Sequence, residues 1–213
     1  MINESEIQRL LWDSYPAAIH DAEETIYAMR PDFTLAYVNV GWMRFAARNG
    51  GEPMISLNWP IGCCVEDAIA ADLRPFFAEN FAKCLSERRP WQHQYECSSP
   101  ELHRSFVMMT YPLGAGEGLL VINSLVQETT HTRSAHEPLE ILYRDKHGII
   151  HQCCHCRRVQ RCGTEPIWDW VPDWVTACPK NTSHGLCEPC FGFYYPKQRG
   201  FTKGFPETFQ TRE

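Results

Sequence analysis

The chain has no long apolar run. In 213 residues no stretch approaches the ~20 consecutive apolar residues of a membrane-spanning helix, which excludes a helical membrane protein. The opening residues, MINESEIQRLLWD, have neither a basic start nor an apolar signal core, so a secretory signal is not expected. Catalytic signatures are missing too: there is no nucleophile–base pairing, kinase motif, helix-turn-helix or receiver-like acidic cluster. The glycine-rich Gly114–Gly118 (GAGEG) lacks the Lys-Ser/Thr of a phosphate loop and lies between β-prone runs, so it reads as a hairpin turn. No internal repeat is visible. A strong positive charge is also lacking: the net charge is -6. Residues 1–143 hold ten Lys/Arg against nineteen Asp/Glu, and residues 144–213 hold ten against seven. An acidic unit followed by a mildly basic one does not point to nucleic acid.

Cysteine is abundant. There are eleven, an odd number spread over the whole chain. Without a signal, that predicts a reducing cytoplasm, with thiols and metal ligation in place of a disulfide framework. Cys153, Cys156, Cys187 and Cys190 form two C-x-x-C pairs thirty residues apart. A two-residue gap lets one tight turn aim two thiolates at one point, and two such turns supply the four ligands of tetrahedral zinc. A four-thiolate site leaves no position for water, so its expected role is structural. Cys154, His155, His151, His184, Cys162 and Cys178 lie nearby as competing ligands or partners of the thiolates. An iron–sulfur cluster would use the same four thiolates. A redox dithiol is the other reading, since Arg157 and Arg158 would favour a thiolate, but no βαβ thioredoxin pattern surrounds either pair.

Along the chain, Glu4 to Trp12 reads as an amphipathic helix with Ile7, Leu10 and Leu11 on one face. Thr25–Met29 and Phe33–Val38 are β-prone and flank an Arg30-Pro31-Asp32 turn, which predicts a hairpin. Asn39 can cap a helix running through Arg48. Ile61–Ala71 reads as a loop with a short helix, and Pro75 begins a helix to about Glu87. Trp91–Cys97 and Arg104–Tyr111 alternate, and Gly118–Val126 reads as a buried strand. His93 and His103 fall on or between these strands, where a lone histidine reads as solvated or satisfied in the core before it reads as a haem ligand. A polar stretch follows, then an expected hairpin, Ile141–Arg144 with Ile149–Gln152, that delivers the first cysteine pair. The tail from Pro196 has no helical or β pattern.

The stretches PDFTLAYVNVGWMRFA, Ile61-Gly62, WQHQYECSSPELHRSFVMMTYPL and GLLVINSLV, in that order, resemble a PAS sensory domain. The resemblance implies an antiparallel five-stranded sheet with short helices on one face and a cavity for a small ligand. The Asn-Cys-Arg-Phe-Leu motif of flavin photosensors is absent. HQCCHCRRVQR, WDWVPDW and SHGLCEPCFGFYY resemble a small cysteine module found after PAS or receiver domains in bacterial signalling proteins, with Glu188-Pro189 standing where that module has Pro-x.

The expected fold is therefore α+β. It comprises an N-terminal helix (1–14), a PAS-like domain (15–128), a linker (129–140), a zinc-ribbon-like four-cysteine module (141–195) and a tail (196–213). The expected function is cytoplasmic sensing or regulation through a protein partner or a PAS-pocket ligand, with a structural zinc on Cys153, Cys156, Cys187 and Cys190. No catalysis and no membrane contact are expected, and Ile7, Leu10 and Leu11 are expected either to cover the PAS sheet or to join a homodimer interface. The alternatives are a thiol redox sensor using the zinc–cysteine site and a zinc-ribbon nucleic-acid-binding regulator. Trp168, Trp170, Trp174, Tyr194 and Tyr195 are expected either as an exposed aromatic surface or as the core of the module.

Overall fold

A computed structural model describes residues 16–196. The expected helix from Glu4 to Trp12, with Ile7, Leu10 and Leu11, and the tail after residue 196 lie outside the described residues. The first element is a short helix, α1 (Pro16–His20). Strand β1 (Thr25–Met29) follows, and strict alternation splits its side chains between two layers. Tyr27 and Met29 enter the main core, and Ile26 and Ala28 the opposite face. Strand β2 (Leu35–Val38) pairs with it antiparallel. The turn between them is closed by Phe33 N–H donating to the Arg30 carbonyl at 2.9 Å, and Phe33 takes a left-handed φ of 62°.

Asn39 ties this region together. It caps helix α2 (Val40–Arg48) by accepting from Trp42 N–H at 2.9 Å, and the same oxygen accepts from Ile26 N–H at 3.0 Å. Its amide nitrogen donates to the carbonyls of Ile19, Ala22 and Glu24. Gly41 sits against the same backbone, where a Cβ would collide with the Glu24 carbonyl oxygen.

Helix α3 (Met54–Asn58) and a 3-10 turn (Val65–Ala68) lead into helix α4 (Arg74–Glu87). Pro75 lies in its first turn, and Arg88, left-handed with φ 53°, caps its end. Strands β3 (Trp91–Glu96), β4 (Leu102–Leu113) and β5 (Gly118–Thr130) complete an antiparallel five-stranded sheet of order β2-β1-β5-β4-β3. The last strand, β5, takes the centre, between β1 and β4, which is the PAS-like arrangement. Phe81 and Cys84 of α4 pack on Met29, Leu35, Met108, Leu119 and Val121. Each large side chain fully buried there contributes ~1.5–3 kcal/mol.

The C-terminal region contains helix α5 (Glu140–Tyr143), strands β6 (Ile150–Cys153), β7 (Val159–Gln160) and β8 (Trp168–Asp169), helix α6 (Asp173–Thr176), strand β9 (Thr182–Gly185) and helix α7 (Glu188–Tyr194). Its sheet has the order β8-β7-β6-β9, with β6 and β9 parallel. Residues 141–143 are helical and not the first arm of a hairpin. The Asp145–Gly148 turn forms as read, with an Arg144–Ile150 bridge beyond it. Trp170, Trp174 and Tyr194 are buried, while Trp168 and Tyr195 are half-buried, so these aromatics form the module's core and seams and not an exposed surface. Among the described residues no helix is long and apolar enough to cross a membrane.

Candidate metal centre

Each cysteine pair is set by local backbone geometry. Strand β6 ends on Cys153, and the chain reverses at once. Arg157 N–H donates back to the Cys153 carbonyl at 3.0 Å, and Cys153 N–H donates to the Arg158 carbonyl at 2.8 Å. Arg157 takes a left-handed φ of 63°, which closes the turn with Cys156 beside Cys153. Cys154 N–H donates to the Gly185 carbonyl, tying this turn to the strand that leads to the second pair. Cys187 is the residue before α7, and Cys190 lies in its first turn. Phe191 N–H, donating to the Cys187 carbonyl at 2.8 Å, holds the two on one side.

The four sulfur atoms lie within 4.8 Å of one another, and Cys156 Sγ and Cys187 Sγ are 3.7 Å apart. All four side chains are buried. A zinc–sulfur bond of ~2.3 Å in tetrahedral geometry places sulfurs ~3.8 Å apart, so the donor set fits a zinc ion in both number and spacing. The thiols also perturb one another. S–H donors from Cys156, Cys187 and Cys190 hold the Cys153 thiol far below the usual range, while its three neighbours push Cys190 far above it. A divalent cation at the centre would remove that competition by favouring thiolate at all four.

The nearby alternatives point elsewhere. His155 Nδ1 is 2.8 Å from the Tyr194 hydroxyl, and His151 pairs with Asp145 at 3.2 Å. Cys178 reaches the Gln152 side chain and the Trp174 carbonyl. Cys162 and His184 are exposed. Cys154 does not join the four sulfurs, and burial raises its pKa to about 12.

The cluster is built against the PAS-like domain. Leu73 belongs to the same apolar core as the four cysteines, and Ile69, Phe76 and Phe77 pack on it. Tyr195 hydroxyl donates to the Asp72 carbonyl at 2.7 Å, just before α4. Arg133 bridges the two units. It donates to Glu96 at 2.7 Å and to the Cys156 carbonyl at 3.1 Å, and its guanidinium lies 4.8 Å from the centroid of the Trp170 ring. Nothing in the sequence singles out Arg133, a lone arginine in a polar stretch. Its role appears only once the fold supplies Glu96 and Cys156. His93 is buried between Trp91, Phe76 and Tyr194. His103 is half-buried beside Glu96.

Between α2, α4 and the sheet lies a cavity of about 530 Å³. Its walls include Tyr27, Trp42, Phe45, Trp59, Ile69, Phe77 and Tyr95. Its polar groups are neutral and include Thr25, Asn49, Asn123 and the Tyr95 hydroxyl, which donates to Asn123 at 3.0 Å. Among the described residues, no Asp, Glu, Lys, Arg or His lines it.

Two of the solved structures similar to this chain illustrate the likeness. A phage VqmA, solved as a complex with DPO, is 13% identical with a TM-score of 0.42, and the match covers 59% of this chain. The match spans only 57% of that protein's length. The PAS domain of an HTR-like protein from Haloarcula marismortui is 19% identical with a TM-score of 0.34, covering 58% of this chain and 100% of that one. No protein-family model matches, and no curated protein does. Strand order and sulfur geometry define the chain as a PAS-like domain followed by a four-cysteine module able to ligate a metal ion.

Proposed function

We propose that this chain is a PAS-type sensory or regulatory protein, acting in the cytoplasm through a small ligand or a protein partner, with its C-terminal module folded around one zinc ion. The observation that carries this reading is the closed sulfur cluster. Four thiolates would fill all four positions of a tetrahedral ion and leave none for water or substrate, which supports a structural role for the metal. Input falls to the cavity, whose volume lies in the range of small-molecule sites. A wall without charge suits an uncharged ligand, because an ion there would lose its hydration with no partner to replace it.

Elemental analysis and native mass spectrometry of the full chain test this together. One zinc per chain is expected, with a zinc–sulfur shell in X-ray absorption. An iron–sulfur signal, or no metal–sulfur shell at all, would overturn the zinc assignment.

A further inference from the structure

The wall of the cavity and the seat of the metal module share residues. Ile69 and Phe77 line the cavity, and the same two side chains pack on the core made by Leu73, Leu186, Tyr194 and the four cysteines. Phe77 lies in the first turns of α4, with its ring 5.9 Å from Phe81 in the domain core and 6.5 Å from Tyr194 of α7. The module grips that end of the helix directly, through Tyr195 on the Asp72 carbonyl and through the edge contact of Tyr194 on Phe76, 5.0 Å between centroids. A rigid helical turn is therefore held from one side by the metal core and faces open volume on the other.

We propose that cavity occupancy and metal binding are coupled with positive sign, with Phe77 as the positioning residue between them. This rests on the reading above, that the cavity takes an uncharged ligand and the cluster holds zinc. The sign follows from ordering. A folded module fixes Ile69 and Phe77 where they form the cavity wall, so a ligand meets a wall already in place. A ligand packed on that wall likewise fixes the surface on which the module folds. Whichever binds first bears the ordering cost, and the second binds tighter. Linkage requires the same factor in both directions.

The test uses the full-length protein and prodan, an uncharged naphthalene dye, as the cavity probe. Zinc affinity is measured by competition with a chromophoric chelator, with and without saturating prodan. We expect zinc to bind about fivefold tighter or more when prodan is bound, near the lower end of typical coupling. Ala46→Phe, which fills the cavity from the α2 wall, should tighten zinc binding in the same direction with no probe present. Phe77→Leu should keep both zinc and prodan binding and lose most of the coupling. If that variant fails to fold, the first two measurements decide. Bound prodan with unchanged zinc affinity overturns the coupling and leaves the ligand reading standing. If prodan does not bind, the ligand reading fails, and an Ala46→Phe protein with wild-type zinc affinity then overturns the coupling as well. Absence of zinc from the purified protein would sink the metal reading first, and the coupling with it.

Discussion

Asn39 and His93 show how much one side chain can carry here. Asn39 is fully buried and satisfies five backbone groups, two N–H donors and three carbonyls, drawn from α1, β1, α2 and the loop between α1 and β1. Asn39→Ala removes a helix cap and leaves several buried polar groups unpaired, which should cost ~3 kcal/mol or more. Urea denaturation of the zinc-loaded protein would measure it, and a loss below ~1 kcal/mol would mean that water replaces the amide. His93 is the opposite case. Its Nε2 is buried with no hydrogen-bond partner among the described residues, and burial, with a smaller contribution from His155, pushes its pKa down to about 4. The folded state therefore holds the ring neutral while the unfolded chain takes a proton near 6.5. Stability contributed by the neutral ring is complete above pH 6.5, falls as the pH drops toward 4, and changes no further below it. His93→Phe keeps the ring contacts with Phe76 and Phe77 and removes the titration. The variant should lose less stability than wild type between pH 6.5 and 4, a comparison in which acid release of metal affects both proteins. Parallel stability profiles would show that His93 protonates in the folded state as easily as in the unfolded one.

At the scale of elements, what the sequence makes legible is periodicity, and what it hides is pairing. β1 and α4 could be read almost to the residue, because alternation and a Pro-started apolar stripe are local signals. β4 and β5 run further than their apolar stretches. Arg104 faces Glu128 across the ladder with a 2.6 Å ion pair, so polar residues that look like the start of a linker extend the strand. No single segment carries that information. α3 was not anticipated, because its five residues bury no side chain and are too few to show a helical apolar period. α5 replaced an expected strand because Glu140 and Arg144 pair one helical turn apart. The metal cluster was the most legible feature, since C-x-x-C spacing encodes its own turn. The surface it packs on was invisible, being made by Leu73, Phe76 and Phe77 about eighty residues earlier in the chain. Packing of elements also governs Gly41, where helix and loop backbones touch. Gly41→Ala should destabilise the protein by ~1–3 kcal/mol through overpacking. An equal melting temperature would show that the 22–24 loop can yield.

At the scale of the whole molecule, the question is how far the loss of metal spreads. Structural zinc supplies ~10–16 kcal/mol of apparent binding energy, comparable to the entire stability of an ordinary domain. Away from the cysteine cluster the module's own core is small: Tyr143, Ile150, Val159, Val171 and Trp174. Cys187→Ser should therefore unfold residues from about 141 onward. Arg133 and the aromatic seam make the two units neighbours in contact, so the effect should not stop at that boundary. Once Tyr195 leaves the Asp72 carbonyl and Tyr194 leaves Phe76, the first turns of α4 and the Trp91–His93 end of β3 lose their cover. The hairpin Thr25–Val38 packs instead on the far part of α4 and on β5, through Met29, Leu35, Phe81 and Leu119, none of which touches the cysteine core. Hydrogen exchange mapped by peptide should show protection lost in the module, reduced over residues 72–77 and 91–93, and retained in Thr25–Val38. Full retention over 72–77 would mean that the PAS-like domain holds that helix end without help. Equal loss in Thr25–Val38 would mean that both units unfold as one cooperative body.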